Sequence, residues 1–197
     1  PIKALSALSA RHDLPFNVHI LETKLQRVLG AEKFGKSLVR YVHDLGLLDE
    51  RMVVIHAIWI DDQDIALPAR SGATVAHNPI CNLRLGSGIM PFRALRDAGV
   101  PVCLGTDEAT VDDSVNLWAV LKMAGLVHTL ADVDYRTWPA APEILREKSY
   151  SDCVTAAFRT TPSRWSRMRP ASDPVSTATA RKTSSASSSR GSAIVKV

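Results

Sequence analysis

Apolar and polar positions along residues 1–158 repeat one pattern four times: a short β-branched run, a polar turn, then an amphipathic stretch. "PFNVHIL" (15–21) leads into "AEKFGKSLVRYVHDLG" (31–46), and "RMVVIHAIWI" (51–60) into "DDQDIALPARSG" (61–72). "ATVAHN" (73–78) leads through a loop into "PFRALRDAGV" (91–100), and "PVCLGTD" (101–107) into "SVNLWAVLKMAGLVH" (114–128). Four strand-to-helix units in series predict an α/β fold with a parallel sheet buried on both faces. Leu38, Tyr41, Val42 and Leu45 keep helical spacing, and Gly46 stands where a helix closes on a left-handed residue. The opening residues, "PIKALSALSARHDLPF", read as a helix running into the first strand.

The polar residues of these units fall in one kind of place. His19 and Glu22 end the first strand, His56 lies toward the end of the second, His77 and Asn78 end the third, and Thr106 and Asp107 end the fourth. In parallel α/β architectures the strand C-termini and the loops after them carry the active site. Taken singly, each residue has an ordinary role: a core histidine, a carboxylate at a helix N-terminus, a turn aspartate. Taken together they are two imidazoles and two carboxylates on successive strand ends, the ligand and acid–base set of a divalent-metal hydrolase.

Composition and charge narrow the picture. The chain of 197 residues is 46% hydrophobic and 22% charged, as in a globular protein, with no apolar run long enough to span a bilayer. Cys81, Cys103 and Cys153 are odd in number and lack a CxxC spacing, which argues against a disulfide framework and for a reducing, cytoplasmic setting. The net charge of +4 is unevenly spread. Residues 1–158 carry 16 Lys+Arg and 19 acids, whereas residues 159–197 carry eight Lys+Arg against one acid. A nucleic-acid role would rest on the tail alone, and the body of the chain argues against it. The division is therefore 1–158 as the folded α/β region and 159–197 as a Ser/Arg-rich segment. That segment has few large aliphatics and is expected to lack long regular structure.

The stretches "HILET", "VIHAIWI" and "VAHNPICNLRLGSGIMPFRALRDAGVPVCLGTDEAT" resemble the amidohydrolase superfamily. The branch they resemble contains cytosine deaminase, S-adenosylhomocysteine and methylthioadenosine deaminases, and triazine chlorohydrolases. The resemblance covers roughly residues 13–146. It implies strands five to eight of a (β/α)8 TIM-type barrel, hence half of the barrel, and one divalent metal ion, zinc or iron. It also implies hydrolytic deamination of a nitrogen heterocycle (purine, pyrimidine or triazine) by metal-activated water. By position, His19 resembles a metal ligand and Glu22 the proton-shuttling glutamate. His56 resembles the histidine that contacts the activated water or the substrate's leaving side, and Asp107 a metal-binding and proton-accepting aspartate. His77, Asn78 and Glu108 fall where the branch shapes its substrate pocket.

Departures from the family pattern matter as much. Cys81 stands where serine is more usual, and Glu108 where glycine is. No His-x-His pair exists anywhere in the chain, and the family's flanking β-sandwich is absent. Alternative readings are a truncated, catalytically incompetent fragment and a dechlorinating enzyme. The first residue is not methionine, and an out-of-frame reading of the tail resembles the family's closing segment; both favour a fragment. The expected partner is a small heterocycle, with no membrane and a possible homo-oligomer formed through the open sheet.

Overall fold

The structure, a computed structural model, describes residues 1–112, 115–149 and 193–196. The strands are β1 (Phe16–Ile20), β2 (Met52–His56), β3 (Thr74–His77), β4 (Val102–Leu104), β5 (Lys148–Ser149) and β6 (Ala193–Lys196). The helices are α1 (Ile2–His12), α2 (Lys24–Phe34), α3 (Leu38–Asp44), α4 (Asp62–Ser71), α5 (Pro79–Arg84), α6 (Phe92–Asp97), α7 (Ala109–Asp112), α8 (Leu117–Val127) and α9 (Ala141–Arg146). The sheet runs β5-β4-β3-β2-β1-β6, and every described pairing is parallel. The predicted α/β class and its four strand–helix units are present in the predicted order.

Alternation along the strands sorts the two faces of the sheet. Phe16, Val18, Ile20, Met52, Val54, Val75, Val102 and Leu104 enter the main core, together with Val39 and Val42 of α3, Ile65 of α4 and Leu95 of α6. Val53, Ile55, Ala76 and Cys103 form a smaller cluster, and alternation puts Asn17 and His19 on that same face. In a closed barrel it is the interior.

Two local outcomes differ from the sequence pattern. The amphipathic stretch 31–46 is not one helix. Gly35 (φ 67°) ends α2 and Ser37 caps α3, its hydroxyl accepting the Arg40 N–H at 3.2 Å. The second apolar run stops being strand at His56. Beyond it the Ala57 N–H reaches the Ile20 carbonyl, and the Ile58 and Trp59 N–H groups reach that of Leu21, so the chain crosses the end of β1 instead of continuing. The segment 159–197 lies outside the described residues except for Ala193–Lys196. This short strand pairs with β1 in parallel, from Phe16 opposite Ala193 to His19 opposite Lys196.

Gly46 does what its position predicted. With φ 69° it follows α3, donating to the His43 carbonyl while Leu47 donates to that of Val42, the paired bonds of a Schellman closure. Gly88 has a different reason to be glycine. A Cβ there would sit 2.9 Å from Ile58 Cγ2, so a side chain would push the 86–90 loop off the segment leaving β2.

Candidate active site

At the ends of β1, β2 and β4 the chain departs from regular backbone. Leu21 (φ 55°), His56 (φ 76°), Ala57 (φ 48°) and Asp107 (φ 65°) all occupy the left-handed region, which non-glycine residues seldom adopt. Such conformations persist where the surroundings over-determine them, and they gather at functional sites. Here they redirect side chains. Alternation along β2 would send His56 the same way as Met52 and Val54, into the helix-side core. The left-handed turn at His56 aims its ring at the carboxylates instead.

Ligand atoms of His19, His56 and Asp107 lie within 4.8 Å of one another. His56 Nε2 is 3.3 Å from Asp107 Oδ2 and 3.8 Å from Glu22 Oε2, and His19 Nε2 is 3.9 Å from Asp107 Oδ1. The rings of His19 and His56 are 5.1 Å apart, centroid to centroid. Both histidines are buried, yet neither nitrogen of His19 nor Nε2 of His56 has a hydrogen-bond partner among the described residues. Buried polar atoms left in this state are unusual and call for a reason.

His56 Nδ1 does have a partner, Asn82 Oδ1 at 2.8 Å. A carbonyl oxygen only accepts, so Nδ1 carries the proton and Nε2 presents its lone pair to the carboxylates. Burial lowers the His56 pKa; the Glu22 and Asp107 carboxylates pull the other way without reversing it. Burial by itself would raise the Asp107 carboxyl. The polar contacts from His19 and Cys81, with the two imidazoles close by, outweigh that and hold it at about 2.

The other residues singled out in the sequence are placed differently. His77 is buried with its Nε2 3.2 Å from Nε2 of His128, and the His128 ring lies 5.1 Å from that of Phe92. The Nε2 of His77 thus faces a second histidine, and His56 lies near enough to help lower its pKa. Asn78 is buried just ahead of α5, and Glu108 is exposed at the start of the turn into α7. Sequence reasoning gave no site role to Cys81, Asn82 or His128. Cys81 and Asn82 stand in "HNPICNL", directly after a strand end, and that position was the available signal. His128 had none, because it closes a helix far along the chain.

A parallel strand–helix array with a histidine and carboxylate cluster at the strand C-termini defines the class: an α/β-barrel hydrolase scaffold of which this chain provides four strand–helix units. The chain belongs to the amidohydrolase family, whose model matches residues 2–146. It is 35% identical over 133 residues to a 5-methylthioadenosine/S-adenosylhomocysteine deaminase of Thermococcus kodakarensis, covering 68% of this chain and 31% of the relative. A 5'-deoxyadenosine deaminase of Methanopyrus kandleri is 31% identical over 144 residues, covering 73% of this chain and 32% of that one. Among solved structures, an adenosine deaminase from Xanthomonas campestris with bound zinc superposes with TM-score 0.69 at 26% identity, over 74% of this chain and 33% of that one. The zinc complex of atrazine chlorohydrolase from Arthrobacter aurescens gives 0.72 at 28% identity, over 78% and 34%. The chain thus spans about a third of the length of the curated relatives it matches. Among the described residues no helix is long and apolar enough to cross a membrane.

Proposed function

We propose that these residues are the catalytic end of a metal-dependent aminohydrolase acting on a nitrogen heterocycle, with an adenine nucleoside as the favoured substrate class. One observation carries the reading: His19, His56 and Asp107 bring donor atoms within 4.8 Å of one another, with unpartnered buried nitrogens and the Glu22 carboxylate 3.8 Å from His56. The relatives named as deaminases of adenine nucleosides support the substrate class.

The donor set fits a divalent cation. Neutral imidazole nitrogens and an ionised carboxylate suit zinc or ferrous iron, and the zinc-containing structural neighbours agree with zinc. His19 and Asp107 would hold it, with His56 beside them. Such a cation, when bound, brings the pKa of a water toward ~7. Asp107, held ionised, orients the attacking water by accepting one of its protons in a hydrogen bond. Glu22 removes the other proton and delivers it to the ring nitrogen; the O–H proton that Asp107 accepts then passes through Glu22 to the departing amine, which leaves as ammonia. His56 Nε2 accepts a hydrogen bond from the attacking O–H. By sharing that proton with Asp107 it offsets charge developing in the transition state, and it gives the proton up as the amine departs.

Displacement of chloride from a triazine is the second reading, favoured by the similarity to atrazine chlorohydrolase. The same acid–base groups serve it with a different leaving group.

No His-x-His exists in the chain, and a catalytic mononuclear site takes about three protein ligands plus water. The isolated 197-residue chain is therefore expected to be silent in turnover, and the test is a chimera. Residues 2–146 replace the matching third of the Thermococcus kodakarensis deaminase, and ammonia release is followed with methylthioadenosine, cytosine and chlorinated triazine substrates. Turnover of the nucleoside that disappears in Glu22→Gln is the expected result. A folded, zinc-loaded chimera that turns over none of the three sinks the reading, and one that releases only chloride selects the second.

A further inference from the structure

Cys81 sits on α5 with 2% of its surface exposed, and its thiol is one of the polar groups that hold the Asp107 carboxyl low. A sulfur of Cys81, a nitrogen of His56 and a carboxylate oxygen of Glu22 all lie within 4.8 Å of one another. This trio overlaps the His19–His56–Asp107 group in a single residue, His56. Asn82 occupies Nδ1 of that ring, so only Nε2, buried and without a hydrogen-bond partner, is open to a ligand.

We propose that Glu22, His56 and Cys81 form a second cation site, distinct from that of His19 and Asp107, which takes a thiophilic divalent cation such as cadmium or excess zinc. Three features point to it. The sulfur is a soft donor, which favours zinc and cadmium over magnesium, manganese or calcium. As the sulfur–cation bond forms, the S–H bond breaks and its proton leaves to solvent. The resulting thiolate and the Glu22 carboxylate together carry two negative charges, which match a divalent cation in a buried setting where an unbalanced charge is costly. Finally, the orphaned Nε2 supplies a neutral third ligand already fixed in the required tautomer.

The consequence rests on the proposed function. A cation in this trio withdraws the glutamate that moves protons and the histidine beside the attacking water, so excess zinc is self-limiting for the enzyme. Serine, the commoner residue at this position in the family, is a harder and weaker donor there, so the effect is particular to chains carrying cysteine.

The test uses the full 197-residue chain, cadmium as the probe, and the ultraviolet thiolate-to-cadmium charge-transfer band as the readout. The band should saturate at one cadmium per chain. It should vanish in Cys81→Ser and in Cys81→Ala, and persist in Cys103→Ser, in Cys153→Ser and in His19→Gln. Circular dichroism of each variant verifies that the fold is retained. Absence of the band, or its survival in both Cys81 variants, overturns the proposal. Loss of the band in His19→Gln as well shows that one shared cation takes the thiol, and it overturns the separate site. The chimera's turnover is independent of this band, so a silent chimera with an intact band refutes the catalytic reading alone.

Discussion

Two buried polar clusters in this molecule behave in opposite ways. In the helical layer, Asp64 is fully buried and both its oxygens are taken. Oδ1 accepts from Ser37 Oγ at 2.5 Å and Arg40 Nε at 2.9 Å, and Oδ2 accepts from Arg27 Nη1 at 2.5 Å. Asp61 bonds the same two arginines, and despite the upward push of burial they and the Asp64 N–H hold its pKa at about 2. The network ties α2, α3 and α4 together. At the strand ends, His19 and His56 are as deeply buried but have open nitrogens facing Glu22 and Asp107. Burial does not separate structure from function here; satisfaction does. A polar network that has closed on itself holds helices together, whereas the strand-end cluster keeps buried nitrogens open, the state its proposed ligand role requires.

Removing one member of the closed network should have the largest effect. Asp64→Ala leaves Arg27 and Arg40 without their shared buried partner, and breaking a buried pair in this way costs about 3–5 kcal/mol. Their side chains are 32% and 31% exposed and can partly rehydrate, which puts the loss toward the lower end. Urea denaturation of the metal-free chain measures it. A change below about 1 kcal/mol would mean that the cluster is not holding the helices, and the contrast would collapse.

Acid should come next, through the His77–His128 pair. With the two Nε2 atoms 3.2 Å apart, one ring must donate and the other accept, and burial keeps both rings neutral. Burial first, and Arg93 second, lower His128 to about 4, and burial with the neighbouring imidazoles holds His77 well below its ordinary value. The unfolded chain takes up these protons near pH ~6.5 while the fold refuses them. Stability from the pair is therefore complete above about pH 6.5 and is lost as pH falls toward 4. At ~1.4 kcal/mol per pH unit, His128 alone accounts for about 3 kcal/mol by the bottom of that window. Asp61 and Asp107, held at about 2, lose their contribution only below about pH 4, so the two effects separate. Urea midpoints between about pH 7 and pH 4.5 should decline in the unaltered chain and decline less in His128→Gln. A flat profile would show that the pair opens to water without penalty.

The same contrast explains what the sequence revealed. The alternation of apolar runs and amphipathic stretches made the order of strands and helices legible, because burying both faces of a parallel sheet demands that pattern. The gathering of His19, Glu22, His56 and Asp107 was legible from their places at strand ends. Their directions were not. His56 reaches the cluster through a left-handed backbone that hydrophobic period cannot encode, and strict alternation would have placed it in the helix-side core. The contacts of His56 with Asn82 and of His77 with His128 span 26 and 51 residues, so no local spacing announces them. The break between α2 and α3 was hidden because Gly35 and Ser37 interrupt a stretch whose apolar spacing otherwise reads through.

The smallest expected effect is the most diagnostic, because its sign is the result. His19 is buried, both ring nitrogens lack hydrogen bonds, and its nearest described charge, Asp107, is 3.9 Å away, beyond hydrogen-bond reach. A buried polar group left unpartnered carries a penalty of about 1–3 kcal/mol, and an apolar side chain of similar size removes it. His19→Leu relieves that penalty but also removes the contact that helps hold Asp107 at about 2, so it should stabilise the metal-free chain by only about 1 kcal/mol, opposite in sign to Asp64→Ala. Zinc should invert the ranking. A ligand held only by the native state at about a hundred times its Kd adds about 2.7 kcal/mol. In a Cys81→Ser background, which removes the second cation site, the chain should gain this while the same background carrying His19→Leu does not. Paired urea titrations with and without zinc read both halves. If His19→Leu destabilises the metal-free chain, the ring is holding the fold and the open cluster is as structural as the closed one. If it stabilises the metal-free chain and zinc still protects it, the cation is held without His19. Only stabilisation together with lost protection identifies His19 as a residue kept at the expense of stability for the sake of a ligand.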